Sequence, residues 1–171
     1  MERFVVADRA SRCAEIVRAA YLQVAAVGFE GLRMRPVAAE VGVDQSTLHH
    51  YFPTKQDIVA GIADYAISQF ASTPPATNLR EHLDHLRKIA TEDPAAFTVC
   101  AELRLRAGRD PAVREVLARY YAVWRSWLSE LLGDAGTPAT VELVIAVVNG
   151  VQLNPDSAGP AFDRLITLLE N

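Results

Sequence analysis

The chain has 171 residues, half of them hydrophobic, with 17 Lys/Arg against 21 Asp/Glu and a formal net charge of −4. That length buries one good core or two modest ones sharing an interface, while no window approaches the roughly 18–20 apolar residues of a spanning helix and the MERFVVADR opening is too short in apolar residues for a signal peptide. Cys13 and Cys100 stand far apart without metal-type spacing, so reduced thiols and a cytoplasmic setting are expected.

Strand signals are nearly absent and helical punctuation is frequent, which predicts an all-α chain. A first helix is expected from about Asp8 to Val27, ended by Gly28. Two short helices follow over 36–41 and 45–51. Between them Gly42 lets the chain turn out with positive φ. Ala38 allows a close crossing, and Val37, Val41, Val43 and Leu48 supply the contacts of a helical corner. Asp44 is placed to cap the second short helix. The run Gln45, Ser46, Thr47, His49, His50 is polar and donor-rich, as a groove-reading face requires.

A fourth helix starts after Thr54, with Asp57 placed to close a capping box, and runs to about Ala71. The Pro74-Pro75 segment, residues 72–78, reads as a hinge. Five more helices are expected over 79–91, 94–107, 110–132, 138–153 and 157–170, with Pro94, Pro111 and Pro138 in first turns. That makes about nine helices: a three-helix helix-turn-helix domain over 1–53 and a helical bundle over 54–171.

Charge is unevenly divided. Residues 1–55 carry seven Lys/Arg against six acids, a balance of +1, which leaves −5 for the remainder. A near-neutral reader on an acidic body predicts modest, salt-dependent phosphate affinity. The last two helices are apolar on more than one face, so a second burying surface is expected from a partner subunit. Val141, Val144, Ile145 and Val148 with Phe162, Ile166 and Leu169 are the expected homodimer interface, two helices from each copy forming a four-helix bundle.

The stretches RCAEIVRAAYLQVAAVGFEG and RPVAAEVGVDQSTLHHYFPTKQDIVAGI closely resemble the N-terminal domain of the TetR family of bacterial transcriptional regulators, over roughly residues 8–70 and more weakly beyond. The resemblance implies a transcription regulator, most simply a repressor, that binds a pseudo-palindromic operator in double-stranded DNA as a dimer and leaves it when a small-molecule effector binds. It makes Gln45, Ser46, Thr47 and His50 candidates for base edges or nearby phosphates. A bidentate Gln45–adenine pair would be worth about 1–3 kcal/mol of discrimination. Tyr51 and Lys55 match backbone-holding positions, with the fourth helix's N-terminus adding N–H groups.

Three positions depart from the family pattern: His49 replaces a phosphate-binding tyrosine, Asp44 a capping serine, and Arg33 the usual Ser/Thr opening the motif. Arg33 and Arg35 are then expected to compensate as phosphate contacts.

The implied effector pocket draws on Phe97, Cys100, Leu103, Tyr121, Trp124 and Asn149, with Tyr120, Trp127 and Gln152 nearby in the pattern. Glu102, Arg104 and Arg106 read as an ordinary solvated face. His82 and His85, beside Glu81 and Asp84, lack a third ligand at recognisable spacing and read as a surface stripe, with no metal. No glycine-rich phosphate loop, nucleophile elbow or dinucleotide fingerprint occurs, so neither an enzyme nor a cofactor is expected. The competing reading is a helical ligand-binding or interaction protein that kept this fold and lost operator binding.

Overall fold

The structure, a computed structural model, describes residues 2–70 and 75–169, with side chains from Arg9 onward. Among these residues every regular element is helical: α1 (Glu2–Gly31), α2 (Met34–Glu40), α3 (Gln45–Tyr51), α4 (Lys55–Ser68), α5 (Leu79–Glu92), α6 (Pro94–Ala107), α7 (Pro111–Leu132), α8 (Pro138–Leu153) and α9 (Ala158–Leu169). Short 3-10 turns follow α7 and α8. The predicted helices are all present. The largest boundary difference is at α1, which begins at Glu2 rather than near Asp8. Gly28 breaks that helix as expected, at φ 68° and ψ 174°, and one further turn reaches Gly31. Residues 71–74 of the expected hinge lie outside the described residues; beyond them Asn78 caps α5 by accepting from the Glu81 N–H at 2.9 Å. No helix is long and apolar enough to cross a membrane among the described residues.

The fold is organised around α4. Its Ile58, Val59, Ile62, Ala63 and Ala66 are fully buried, because α1, α6 and α7 cover it on different sides. Close approach to α1 depends on Gly61: a β-carbon there would lie 2.8 Å from Val17 Cγ2. α1 contributes Ile16, Ala20 and Val24 to this core and also touches α2 and α6, while α3 inserts Leu48 with no exposed surface. In α7 the predicted stripe is realised at Val113, Leu117, Trp124 and Leu128. α5 and α9 close the far side.

The expected interface residues are displaced from where the sequence put them. Val141, Val144, Ile145, Val148, Phe162 and Ile166 are all buried in the chain's own core, against α6, α7 and α5, and Leu169 is half-buried. The outward stripe of α8 is instead Ala139, Leu143, Ala146, Gly150 and Leu153, at helical spacing, with Leu143 at 45% exposure and Leu168 of α9 at 52%. Periodicity established that two faces of α8 are apolar and left open which one points inward.

Candidate functional site

The corner between α2 and α3 is built by backbone demands. Gly42 takes φ 69° and donates to Ala39 O at 3.2 Å, and Val43 N–H donates to Ala38 O at 2.9 Å. A β-carbon at Gly42 would meet nothing within 4 Å, so glycine is needed there for conformation and not for space. Asp44 caps α3: its Oδ1 accepts from the Ser46 hydroxyl at 2.6 Å and the Thr47 N–H at 2.7 Å. Those bonds, the Ser46 hydroxyl foremost, hold its carboxyl below the usual carboxylate range. With Leu48 anchored in the core, α3 turns Gln45, Ser46, His49 and His50 to the exterior, while Thr47 and Tyr51 are half-buried.

Side chains around α3 hold it in place. Arg9 lies over the Tyr51 ring with its guanidinium 5.8 Å from the centroid. Arg12 Nη1 donates to Glu15 at 2.7 Å and to Val41 O at 3.4 Å, tying α1 to the turn. Thr54 and Asp57 form the expected capping box at the start of α4, which leaves Lys55 exposed beside the reading face. Arg35 is exposed as well. Arg33 differs: its Nη1 donates to Glu30 O at 2.6 Å and Leu32 O at 3.2 Å, and its N–H donates to Gln23 Oε1 at 2.7 Å. Its guanidinium is folded onto the end of α1. Gln23, which fastens the α1–α2 corner, carried no local sequence signal because its partner lies ten residues away across a turn.

The aromatic cluster lies at the opposite end of α4. Cys100, Tyr121, Trp124 and Asn149 come together there around an inner space of about 10 Å³, joined by Arg104, Tyr120 and Gln152. It adjoins an outer apolar chamber of about 400 Å³ walled by Ile67, Phe70, His82, Tyr120, Trp124 and Trp127. Tyr120 and Trp124 stack with ring centroids 5.7 Å apart. Phe97 and Leu103, expected to line this pocket, are fully buried and line neither space; they are packing residues. Burial pushes the Cys100 thiol up to about 12, which keeps it protonated and unreactive at neutral pH.

Comparison with known proteins agrees with this geometry. "Bacterial regulatory proteins, tetR family" matches residues 16–62, and "Tetracyclin repressor-like, C-terminal domain" matches residues 75–166, more than half of the chain. The chain belongs to the TetR family. A solved member of the TetR family from Streptomyces coelicolor A3 is 30% identical, with a TM-score of 0.72 over 92% of this chain and 97% of that one. The multidrug binding protein EbrR, solved with imidazole, is 27% identical, with a TM-score of 0.71 over 92% of this chain and 94% of that one. An HTH-type transcriptional regulator of Mycobacterium tuberculosis is 26% identical over 132 residues, 74% of this chain. The match spans 62% of that regulator's length. The family is one of bacterial regulatory proteins and not of enzymes, and the Mycobacterium tuberculosis relative is a transcriptional regulator. In this TetR-family chain the DNA-binding domain is marked by the match over residues 16–62, which runs from within α1 through α2 and α3 into α4.

Between reader and chamber runs α6, whose charged residues are engaged rather than solvated. Glu102 accepts from the Phe29 N–H at 3.3 Å, immediately after the Gly28 kink, and Arg106 lies over the Phe29 ring at 5.1 Å. Arg106 also pairs with Asp110 at 3.0 Å, and Asp110 accepts from Gln56 Nε2 of α4 at 3.1 Å. Two residues from each, on the opposite face of α6, Arg104 Nη1 donates to Asn149 Oδ1 at 3.2 Å and to Gln152 Oε1, while the Tyr121 hydroxyl donates to the same Asn149 oxygen at 3.0 Å. The solvated-face reading of Glu102, Arg104 and Arg106 is thereby corrected. Glu102 and Arg106 reach Phe29 of α1 and Arg104 reaches α8, partners which spacing along α6 alone does not reveal.

His82 likewise is no surface residue. It is 5% exposed, edge-on to Trp127 at 4.8 Å and to Trp124 at 6.0 Å. Burial, with His85 adding a smaller push, lowers its pKa to about 4. The unfolded chain then binds the extra proton between about pH 6.5 and 4, so stability is complete above pH 6.5 and declines as the pH falls toward 4. The loss from this group is expected to reach about 3 kcal/mol. Thermal unfolding between pH 7 and 4 should show a steeper decline for the native chain than for His82→Leu; parallel declines would exclude His82 as the cause.

Proposed function

We propose that this TetR-family chain is a repressor that works in the cytoplasm as a homodimer, binds a pseudo-palindromic DNA operator, and is released by a small-molecule effector. In this reading residues 1–53 read DNA, and 54–171 bind the effector and the second copy. Gln45, Thr47 and His50 address base edges; Ser46, His49, Tyr51, Arg35 and Lys55 address the backbone, while Arg33 stays engaged at the end of α1. The observation that carries the reading is the placement of α3, its polar side chains outward and Leu48 locked beneath.

Effector control is supported by α4 and α6. α4 has Lys55 at the reading end and Ile67 at the chamber end, about 20 Å apart for a helix of this length. α6 presents Arg104 to the inner space beside the chamber, and Glu102 and Arg106 to the end of α1. A ligand that shifts α6 or α4 therefore alters the angle at which α3 is presented, and in a dimer the separation of the two α3 helices. The second copy is assigned to the outward stripe of Leu143, Ala146, Gly150 and Leu153 with Leu168. The relative EbrR, described as a multidrug binding protein, supports a ligand site in the helical body.

Gln45→Ala tests the reading face. Gln45 is exposed and bears no packing load, so melting should be unchanged, while affinity for a selected operator falls roughly 5- to 150-fold, the equivalent of about 1–3 kcal/mol. An unaltered affinity in a mobility-shift titration would remove Gln45 from base readout.

A further inference from the structure

We propose that the effector of this chain is an organic anion, a carboxylate carried on an apolar aromatic or alkyl body, and that Arg104 is the group that receives the carboxylate. The proposal rests on the reading of the aromatic chamber as the effector site. Arg104 carries a full charge and a planar fork of donors suited to bidentate carboxylate binding. Among the described residues its guanidinium meets only neutral acceptors: Nη1 donates to the side-chain oxygens of Asn149 and Gln152. Its Nη2 is buried with no hydrogen-bond partner. A buried donor left unmade is costly, and a partly buried charge facing only amides is not neutralised. The Tyr121 hydroxyl, by donating to Asn149 Oδ1, fixes that amide with its oxygen toward Arg104, so the fork is oriented before any ligand arrives.

The rest of the ligand follows from the walls. The inner space at Arg104 is about 10 Å³, room for one water-sized group. Ile67, Phe70, Tyr120 and Trp124 wall both this space and the outer chamber, whose 400 Å³ falls within the range of small-molecule sites. Of the polar groups that the described residues place along these walls, His82 Nε2 and Arg104 Nη2 are buried without a hydrogen-bond partner, and of the two only the guanidinium carries a positive charge to meet a carboxylate. Among the described residues lining the two spaces there is no Asp or Glu to balance a cationic ligand, which would meet Arg104 as a like charge. Seating a carboxylate requires the stacked Tyr120 and Trp124 rings to yield, which ties occupancy to a movement of α7 against α6 and α4.

Trp124 and Trp127 are the only tryptophans of the chain and both line the outer chamber, so intrinsic fluorescence reports its occupancy. The probes are 4-phenylbutyrate and decanoate, each compared with its own amide, and decyltrimethylammonium as the cation. The acids should alter tryptophan emission and bind ~10- to 100-fold more tightly than the amides. Arg104→Gln should bring the acids down to the affinity of the amides, whose own binding persists and reports an intact chamber. Arg104→Lys, which keeps charge without the fork, should retain part of the preference; with the native acid-to-amide ratio it decides the matter even where R104Q does not fold. Equal binding of acid and amide, or tightest binding of the cation, overturns the anion assignment and leaves the chamber standing as a ligand site. No response to any of the probes overturns the chamber itself and the proposal with it.

Discussion

Replacing Leu143 by aspartate is expected to abolish the dimer and with it tight operator binding, by roughly 10²- to 10⁴-fold. Leu143 is 45% exposed on α8 and belongs to the outward stripe that continues through Ala146 and Gly150. Two-fold symmetry introduces the carboxylate twice into one small apolar surface, where each must be desolvated without a partner. Since the reading region carries a charge balance of only +1 over residues 1–55, a single copy is expected to grip DNA weakly. Once one copy is bound, the second meets its own half-site at a high effective concentration. Sedimentation at micromolar concentration should show native dimer and variant monomer, and melting of the variant should lose its dependence on protein concentration while helix content is kept. A variant that still sediments as a dimer would show that the interface lies elsewhere.

Phe162→Ala should do the opposite. The sequence pattern assigned Phe162 to the interface, yet the ring has no exposed surface within a single chain and sits on α9 where it faces α8 and α5. Truncating it removes the transfer free energy of the ring and leaves a cavity, a loss of about 3–5 kcal/mol. For a chain of this size that lowers the melting midpoint by roughly 6–20 °C. The expected result is a strongly destabilised chain that, below its melting point, still associates. A variant that melts like the native chain and sediments as a monomer would return Phe162 to the interface.

Together the two substitutions mark where sequence reasoning reached its limit. Gly42, Asp44 and the Thr54–Asp57 box were legible because each does its work within three or four residues of itself, through a positive φ or a cap. Leu48 was legible because a two-helix corner has only one inside. α8 has two apolar faces, and nothing local distinguishes Val144 from Leu143; only the positions of α6 and α7 do. Cys100, Tyr121, Trp124 and Asn149, grouped by their pattern in the sequence, do stand together around the inner space, whereas Phe97 and Leu103 lie deeper, because apolar side chains of one helix look alike until depth is known. Arg104 and His82 were missed for the converse reason: an arginine reads as surface until its stem is found beneath neighbouring helices, and a histidine pair reads as a solvated stripe until two tryptophans cover one of them.

The engaged face of α6 also explains why the reader and the effector body are expected to act as one unit. Glu102 holds the backbone just past Gly28, where an added β-carbon would come within 3.3 Å of its Oε2, and Asp110 bridges Arg106 to Gln56. Both ends of that clamp sit in the linker region between α1, α4 and the start of α7, which bears directly on how α3 is aimed.

The central claim, that α3 and its partner copy read a defined DNA sequence, is tested most directly by selecting fragments of its own genomic DNA with the purified chain at low salt. Recovery of a small set of fragments sharing an inverted repeat, bound by a dimer with affinity that falls steeply as salt rises, is the predicted result. Failure to enrich any fragment at low salt would contradict it, and would leave a TetR-family chain that binds ligands without an operator.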